Sequence, residues 1–287
     1  MKVFVPANNK GGVGKTNTAA LFAEYASIVL NKRVLAIDFD PQCNFSQRYL
    51  VMETDPSYQE GHMPPIHPDY DPLDEEYTNW DGRSSIADFF YGKEVVPYPT
   101  SIINLDILPG HADKLLTAEH VRKNEVVQKV HNRMKEFVNL PELKEIYDLI
   151  VIDTAPSKGP LTISAVKAAT HMLIPTVMED KPIQGVYGMI QLWMQESLTR
   201  DPNNKLDLIG ILANKYDART VLHRELYLDL QKREATSKYL LKQKIGQRIV
   251  FAELDSSNSS VFHLPDDNLA KNEAMDVCKF IAERIFK

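Results

Sequence analysis

Residues 10–16 read Lys-Gly-Gly-Val-Gly-Lys-Thr, a run suited to gripping a phosphate chain. Phosphates carry several negative charges and ask for many donors at short range. Gly11, Gly12 and Gly14 let backbone N–H groups turn toward one point, and a helix opening at Lys15 adds the partial positive charge of its N-terminus. Lys15 is then placed for the β and γ phosphates of a nucleotide, and the Thr16 hydroxyl for Mg2+. Val13 and Asn17 complete the segment that would line the phosphates. A strict phosphate loop has Gly six residues before Lys15, where this chain has Asn9.

Carboxylates close two apolar runs. RVLAIDF (33–39) contains Asp38 and is followed by Asp40, and YDLIVID (147–153) ends in Asp153. A carboxylate at a strand end beside a phosphate loop can hold Mg2+ through water. An aspartate of ordinary pKa is too weak a base to strip a proton from water, so one placed here works by orienting it.

These residues need elements to bring them together. Val3–Val5 reads as a strand running into the loop, Lys15–Leu30 as a helix and Arg33–Phe39 as a buried parallel strand, which together make a βαβ unit. Further strands are expected at Leu105–Leu108, Tyr147–Asp153, Met172–Thr176, Leu206–Asn214 and Ile249–Glu253. Helices are expected at Ser84–Tyr91, Ala112–Leu140, Thr162–Ala169, Ile183–Leu198, Thr220–Lys244 and Leu269–Phe286. Alternation of this kind predicts an α/β fold, a mostly parallel twisted sheet with helices on both faces. One domain over residues 1–287 is expected, with an acidic, Pro-rich insertion at about 54–81 that is either a surface excursion or partly disordered.

Composition excludes several classes. With 44% hydrophobic and 25% charged residues among 287, the chain is neither disordered nor fibrous. Cys43 and Cys278 are too few for a disulfide framework and have no zinc spacing, so a reducing, cytoplasmic setting is expected. No apolar stretch approaches the ~20 residues that span a bilayer. The net charge of −6 is unevenly spread. Residues 53–81 hold nine acidic side chains and no Lys or Arg, whereas 215–248 hold nine basic and four acidic ones.

The loop, with Lys10 at its start, resembles that of the ParA/MinD family of deviant Walker ATPases. Asp38-Phe39-Asp40-Pro41-Gln42 resembles that family's first switch segment. DLIVIDTAPS (148–157) resembles its Walker B strand and second switch. Ile174-Pro175 with Gln184-Gly185 resembles the next strand and helix, and Asn214 with Asp217 and Arg219 the base-binding region. The blocks keep the family's order from Met1 to Arg219. Two departures stand out: Asn17 replaces a second Thr common after the loop, and Ala252–Leu264 lacks the Ile-Pro-centred motif common near the family's C-terminus.

The resemblance implies ATP and Mg2+ as cofactors, and slow hydrolysis to ADP and phosphate that a partner stimulates. It implies that Asp40 orients the attacking water. Lys10 would reach across an ATP-sandwiched homodimer to the partner's phosphates. Asn214 would pair with the adenine edge, with a strand-terminal turn residue as the other reading. Asp38 would hold Lys15 or join Asp153 and Thr16 in the metal shell, with a plain structural carboxylate as the alternative.

ParA-type members bind DNA without sequence preference when ATP-bound. They position or segregate a cargo (a plasmid, a chromosome origin or a protein compartment such as a carboxysome) with a ParB-like or analogous adaptor that stimulates hydrolysis. MinD-like members bind membrane by the same switch. Arg219, Lys238, Lys242, Lys244 and Arg248 are the candidate contacts to DNA phosphates, on a helix where some would share a side. A solvated helix face is the competing reading. The last helix is amphipathic but carries Glu273, Asp276 and Glu283, which favours docking on the sheet over a membrane anchor. The ParA-type reading is therefore preferred, cytoplasmic and nucleoid-associated when ATP-bound. A binding module without turnover is the non-enzyme alternative.

Overall fold

The apolar runs become adjacent strands. A computed structural model describes residues 1–57, 61–74, 80–202 and 204–287. Its strands are β1 (Lys2–Pro6), β2 (Val34–Phe39), β3 (Glu53–Thr54), β4 (His62–Met63), β5 (Tyr98–Pro99), β6 (Leu105–Leu108), β7 (Leu149–Thr154), β8 (His171–Thr176), β9 (Asp207–Tyr216) and β10 (Leu240–Gly246). Eight form one sheet in the order β10-β9-β8-β1-β7-β2-β6-β5, parallel throughout except for β5 against β6. The other two make a separate antiparallel hairpin.

The helices are α1 (Lys15–Glu24), α2 (Asn44–Gln47), α3 (Ile86–Phe90), α4 (Ala112–Glu119), α5 (Asn124–Phe137), α6 (Pro141–Ile146), α7 (Pro160–Ala168), α8 (Asp180–Thr199), α9 (Val221–Lys232), α10 (Glu234–Ser237), α11 (Val250–Ser257) and α12 (Leu269–Ile285). A π-helical turn, Tyr25–Val29, continues α1.

Because successive strand residues face opposite ways, each central strand feeds two cores. Val3, Leu35, Ile150 and Met172 face one core with Leu115, Met134 and Leu161. Phe4, Ala36, Val151 and Leu173 face the other with Phe22, Val277 and Ile281. Phe4 and Phe22 meet edge to face, with centroids 4.8 Å apart. Burying a side chain of this size contributes roughly 1.5–3 kcal/mol. A charge at Ile150 or Val151, on the central strand β7, would be left unpaired among apolar neighbours. The apolar side of α12 (Ala274, Val277, Cys278, Ile281, Ile285) is buried in the second core, so the docked reading of that helix holds. Among the described residues no helix is long and apolar enough to cross a membrane.

Three expected elements differ. The helix foreseen over Ala112–Leu140 is broken after Glu119, where the Arg122 guanidinium bonds the carbonyls of Glu119 and Val121. The helix foreseen over Thr220–Lys244 ends at Lys232, a short α10 follows, and its last five residues fall in β10. There Leu241 and Ile245 are buried in the second core, and Ile211 N–H donates to Tyr239 O at 2.7 Å. Pairing with β9 and burial override local helix preference. Ile249–Glu253, expected as a strand, instead opens α11.

The acidic excursion lies partly outside the described residues. Its described part is anchored: His67 is buried with its ring 4.5 Å from that of Tyr98, and Arg83 pairs with Glu53 at 2.8 Å. Those residues are thus held against the body of the domain.

Candidate nucleotide-binding site

The loop between β1 and α1 is fastened before it turns. Asn8 is buried, donates to Pro175 O at 2.9 Å and accepts from Lys10 N–H at 3.1 Å. Gly185 of α8 packs on this point, where a Cβ would come within 2.4 Å of Asn8 Oδ1. That contact gives Gly185 a physical reason. Gly12 and Gly14 hold φ at 73° and 85°, a region costly for residues with a Cβ. Gly14 caps α1 without a side chain, and the first intrahelical bond runs from Thr18 N–H to Gly14 O. The amides of the first turn therefore stay open to an anion.

Lys15 is buried and its Nζ donates to Lys10 O at 3.1 Å. Burial lowers its pKa, opposed by the charges of Asp153 and Asp40. Those carboxylates arrive by strand register, since Asp38 on β2 pairs with Asp153 on β7. Thr16 Oγ1 donates to Asp153 Oδ2 at 2.6 Å, while Asp153 Oδ1 is buried with no hydrogen-bond partner. Burial raises the Asp153 pKa, and the neighbouring Asp38 raises it further. An orphaned carboxylate oxygen beside a hydroxyl suits a hard cation that takes oxygen ligands, so Thr16 and Asp153 fit Mg2+. Among the described residues no cluster of three or more His, Cys, Asp or Glu could hold a metal ion, so phosphate and water oxygens would complete such a shell.

Asp38 is placed otherwise than the metal-shell reading requires. Its Oδ2 accepts Ser46 N–H at 2.8 Å and Ser46 Oγ–H at 2.7 Å, and its Oδ1 accepts Asp40 N–H at 3.0 Å. With both oxygens engaged, it holds the turn that presents Asp40. Asp40 accepts Gln42 N–H at 3.0 Å, and burial raises its pKa against the pull of that bond and of Lys15.

Asn214 is buried at the end of β9. Its Nδ2 donates to Val13 O at 3.2 Å and Gly14 O at 3.4 Å, and its Oδ1 accepts Lys215 N–H. The amide thus braces the loop while standing in the lining of the cleft above it. A Cβ on Gly14 would sit 2.1 Å from Asn214 Nδ2. Lys215, at φ 49°, donates to Gly12 O at 3.0 Å.

A cleft of about 860 Å3 opens over the loop. Gly11, Gly12, Gly14, Lys15, Thr16, Asn17 and Asp40 line one wall, and Gly246, Gln247, Ile249, Phe251 and Ala252 the opposite one. Lys10 lies half-buried at the loop's start. The sequence places Ile249–Glu253 in a strand, so it does not foresee this wall. Its signal was the apolar pair Ile249 and Phe251 directly after a basic run.

The five basic candidates do not share a helix face. Arg219 pairs with Asp217 at 2.9 Å. Arg248 lines the cleft and pairs with Glu273 at 2.6 Å. Lys244 lies over the rings of Tyr227 and Tyr216, 3.8 and 4.5 Å from their centroids, and burial lowers its pKa. Lys238 and Lys242 are exposed. Lys242 has no ion-pair partner among the described residues.

A Gly-rich loop leading from the end of a parallel strand into an uncapped helix, with carboxylates from the two next strands beside it, defines a P-loop nucleotide-binding protein. The AAA_31 family (AAA domain) matches residues 1–208. The chain belongs to the ParA/MinD family of deviant Walker ATPases. It is similar to the chromosome-partitioning ATPase Soj of Thermus thermophilus, 29% identical over 225 residues that cover 78% of this chain and 74% of that protein. It is also similar to the sporulation initiation inhibitor protein Soj of Bacillus subtilis, 25% identical over 281 residues and 98% of each chain. An ATP complex of a McdA variant from Cyanothece shares the fold, with a TM-score of 0.74, 17% identity, and 98% and 96% of the two chains covered.

Proposed function

We propose that this chain is a ParA-type ATPase that dimerises on ATP, binds DNA non-specifically and positions or segregates a cargo through an adaptor. The supporting observation is the convergence of Lys15, Thr16, Asp40 and Asp153 on the open N-terminus of α1. The open amides and Lys15 hold the phosphate chain, with Lys15 leaving Lys10 O for a phosphate oxygen. Bound Mg2+ would neutralise phosphate charge, and Thr16 with Asp153 would hold it. Asp40 sits beside Lys15 on a turn fixed by Asp38, placed to orient water toward a γ phosphate. Lys10, half-buried with its backbone fixed by Asn8, is the cation that would act in the second protomer.

Non-specific DNA binding rests on Lys238 and Lys242, the candidates left exposed without an ion pair among the described residues. The cargo is a plasmid, a chromosome origin or a protein compartment. The adaptor is a ParB-like or analogous protein that accelerates turnover, and the acidic excursion after the first switch segment is a candidate contact for that adaptor or for the second subunit. The ATP-bound protein is expected on the nucleoid.

Co-sedimentation with DNA and with liposomes in ATP, ADP or no nucleotide tests this reading. ATP-dependent retention on DNA without liposome binding supports it. Retention on liposomes alone points to the MinD-like mode.

A further inference from the structure

Residues 154–157 follow Asp153 and end the stretch, 148–157, that resembles a Walker B strand and second nucleotide switch; Lys158 and Gly159 lead from it into α7. A carboxylate from another element holds it. Glu119, the last residue of α4, accepts Ser157 Oγ–H at 2.6 Å through Oε1 and Leu161 N–H at 3.1 Å through Oε2. Ser157 Oγ in turn accepts Gly159 N–H at 3.0 Å. Gly159 is the N-cap of α7 and has no side chain to cap it, so Glu119 caps that helix from a neighbouring one. A carboxylate at the C-terminus of its own helix is electrostatically misplaced, and at the N-terminus of another it is favoured. The fit depends on glycine, since a Cβ at position 159 would sit 1.8 Å from Glu119 Oε1.

The opposite end of α4 is tied to the first switch segment. Gly110 N–H, just ahead of the helix, donates to Ser46 Oγ at 2.9 Å. Ser46 Oγ donates to Asp38, and Asp38 holds Asp40 N–H. Leu115 and Ala118 are buried in the first core and Ala112 is buried as well, which fixes the helix between its ends. Eight helical residues span about 12 Å.

We propose that α4 couples the two switch segments and that Glu119 is the positioning residue by which it holds the second. This rests on the reading above that both segments respond to nucleotide. Glu119 does not line the cleft, so it acts through Ser157 and Leu161 and not on the phosphates.

Hydrogen exchange on the full chain without nucleotide tests the latch directly. In Glu119→Ala the amides of 157–161 should exchange at least about tenfold faster, with Glu119→Gln in between. ATP affinity should stay within about twofold of wild type while kcat falls about tenfold. Gly159→Ala should reproduce both effects in the wild-type background and add nothing to Glu119→Ala, because removing the carboxylate makes room for the methyl. Unchanged exchange at 157–161, unchanged kcat, or strictly additive effects of the two substitutions would each overturn the proposal. A wild-type chain without ATP turnover defeats the ATPase reading and the coupling with it, while the exchange arm separately decides whether Glu119 holds the segment.

Discussion

Asn214 separates a brace from a base contact. In Asn214→Ala the hydrogen bonds to Val13 O and Gly14 O are lost, together with the acceptor for Lys215 N–H. Each neutral bond contributes about 1 kcal/mol, and groups left unsatisfied in a buried site add to the loss, giving about 2–4 kcal/mol. For a chain of this size that corresponds to a melting point lower by roughly 4–8 °C. The assay is thermal and urea unfolding of the nucleotide-free protein, because a base contact contributes nothing there. ATP affinity should fall as well, since the carbonyls that Asn214 holds back would be free to turn toward the phosphates. Gly14→Ala should be as damaging, and less so in the Asn214→Ala background, where the 2.1 Å approach is relieved and only the φ of 85° still costs about 1–2 kcal/mol. A nucleotide-free Asn214→Ala protein within about 0.5 kcal/mol of wild type, with ATP binding alone weakened, would refute the brace.

Lys15→Ala should abolish ATP binding in equilibrium titration, as the loop loses its buried cation. Asp40→Ala should bind ATP and dimerise yet barely turn over, and normal steady-state turnover would remove Asp40 from its assigned role. Charge reversal at Lys238 and Lys242 should weaken DNA binding and flatten its dependence on salt, with ATP-dependent dimerisation intact. DNA retention that survives the reversal would make these lysines a solvated face. His171, buried at the start of β8, has its pKa lowered to about 4, chiefly by burial. Since an unfolded histidine takes a proton near pH 6.5, the unfolded chain binds more protons below that value, and stability should fall between pH 6.5 and 4. Urea unfolding across that range should show a shallower fall in His171→Gln.

The sheet and the phosphate loop were legible because their signals are local. An apolar run ending in Asp is a buried parallel strand wherever it docks, and the loop's glycines answer to backbone geometry alone. Residues 240–253 were not legible for the opposite reason. Residues 240–246 have helix-compatible composition, and only the buried positions of Leu241 and Ile245 beside β9 make them a strand. That misreading carried over to the basic residues, whose shared helix face does not exist. Asp38 and Asn214 were assigned from motif position to the ligand, whereas their hydrogen bonds go to the protein. Glu119 had no sequence signal, because its partners lie about 40 residues away and meet it only across packed helices.

The two flanks of the sheet limit how copies of this chain can meet. On one flank β5 is two residues long and contains Pro99, which has no N–H to donate. On the other, β10 pairs with β9 through shifts in register and carries the exposed Lys242. Neither margin is a long, flat strand that a second sheet could extend, so growth edge to edge into fibres is blocked on both sides. Association is thereby left to the helical faces and the two ends of the sheet. If the ATP-dependent dimer proposed above forms at the end where the phosphate loop emerges, the cleft's contents become part of its surface, and its assembly would be reversible on each turnover.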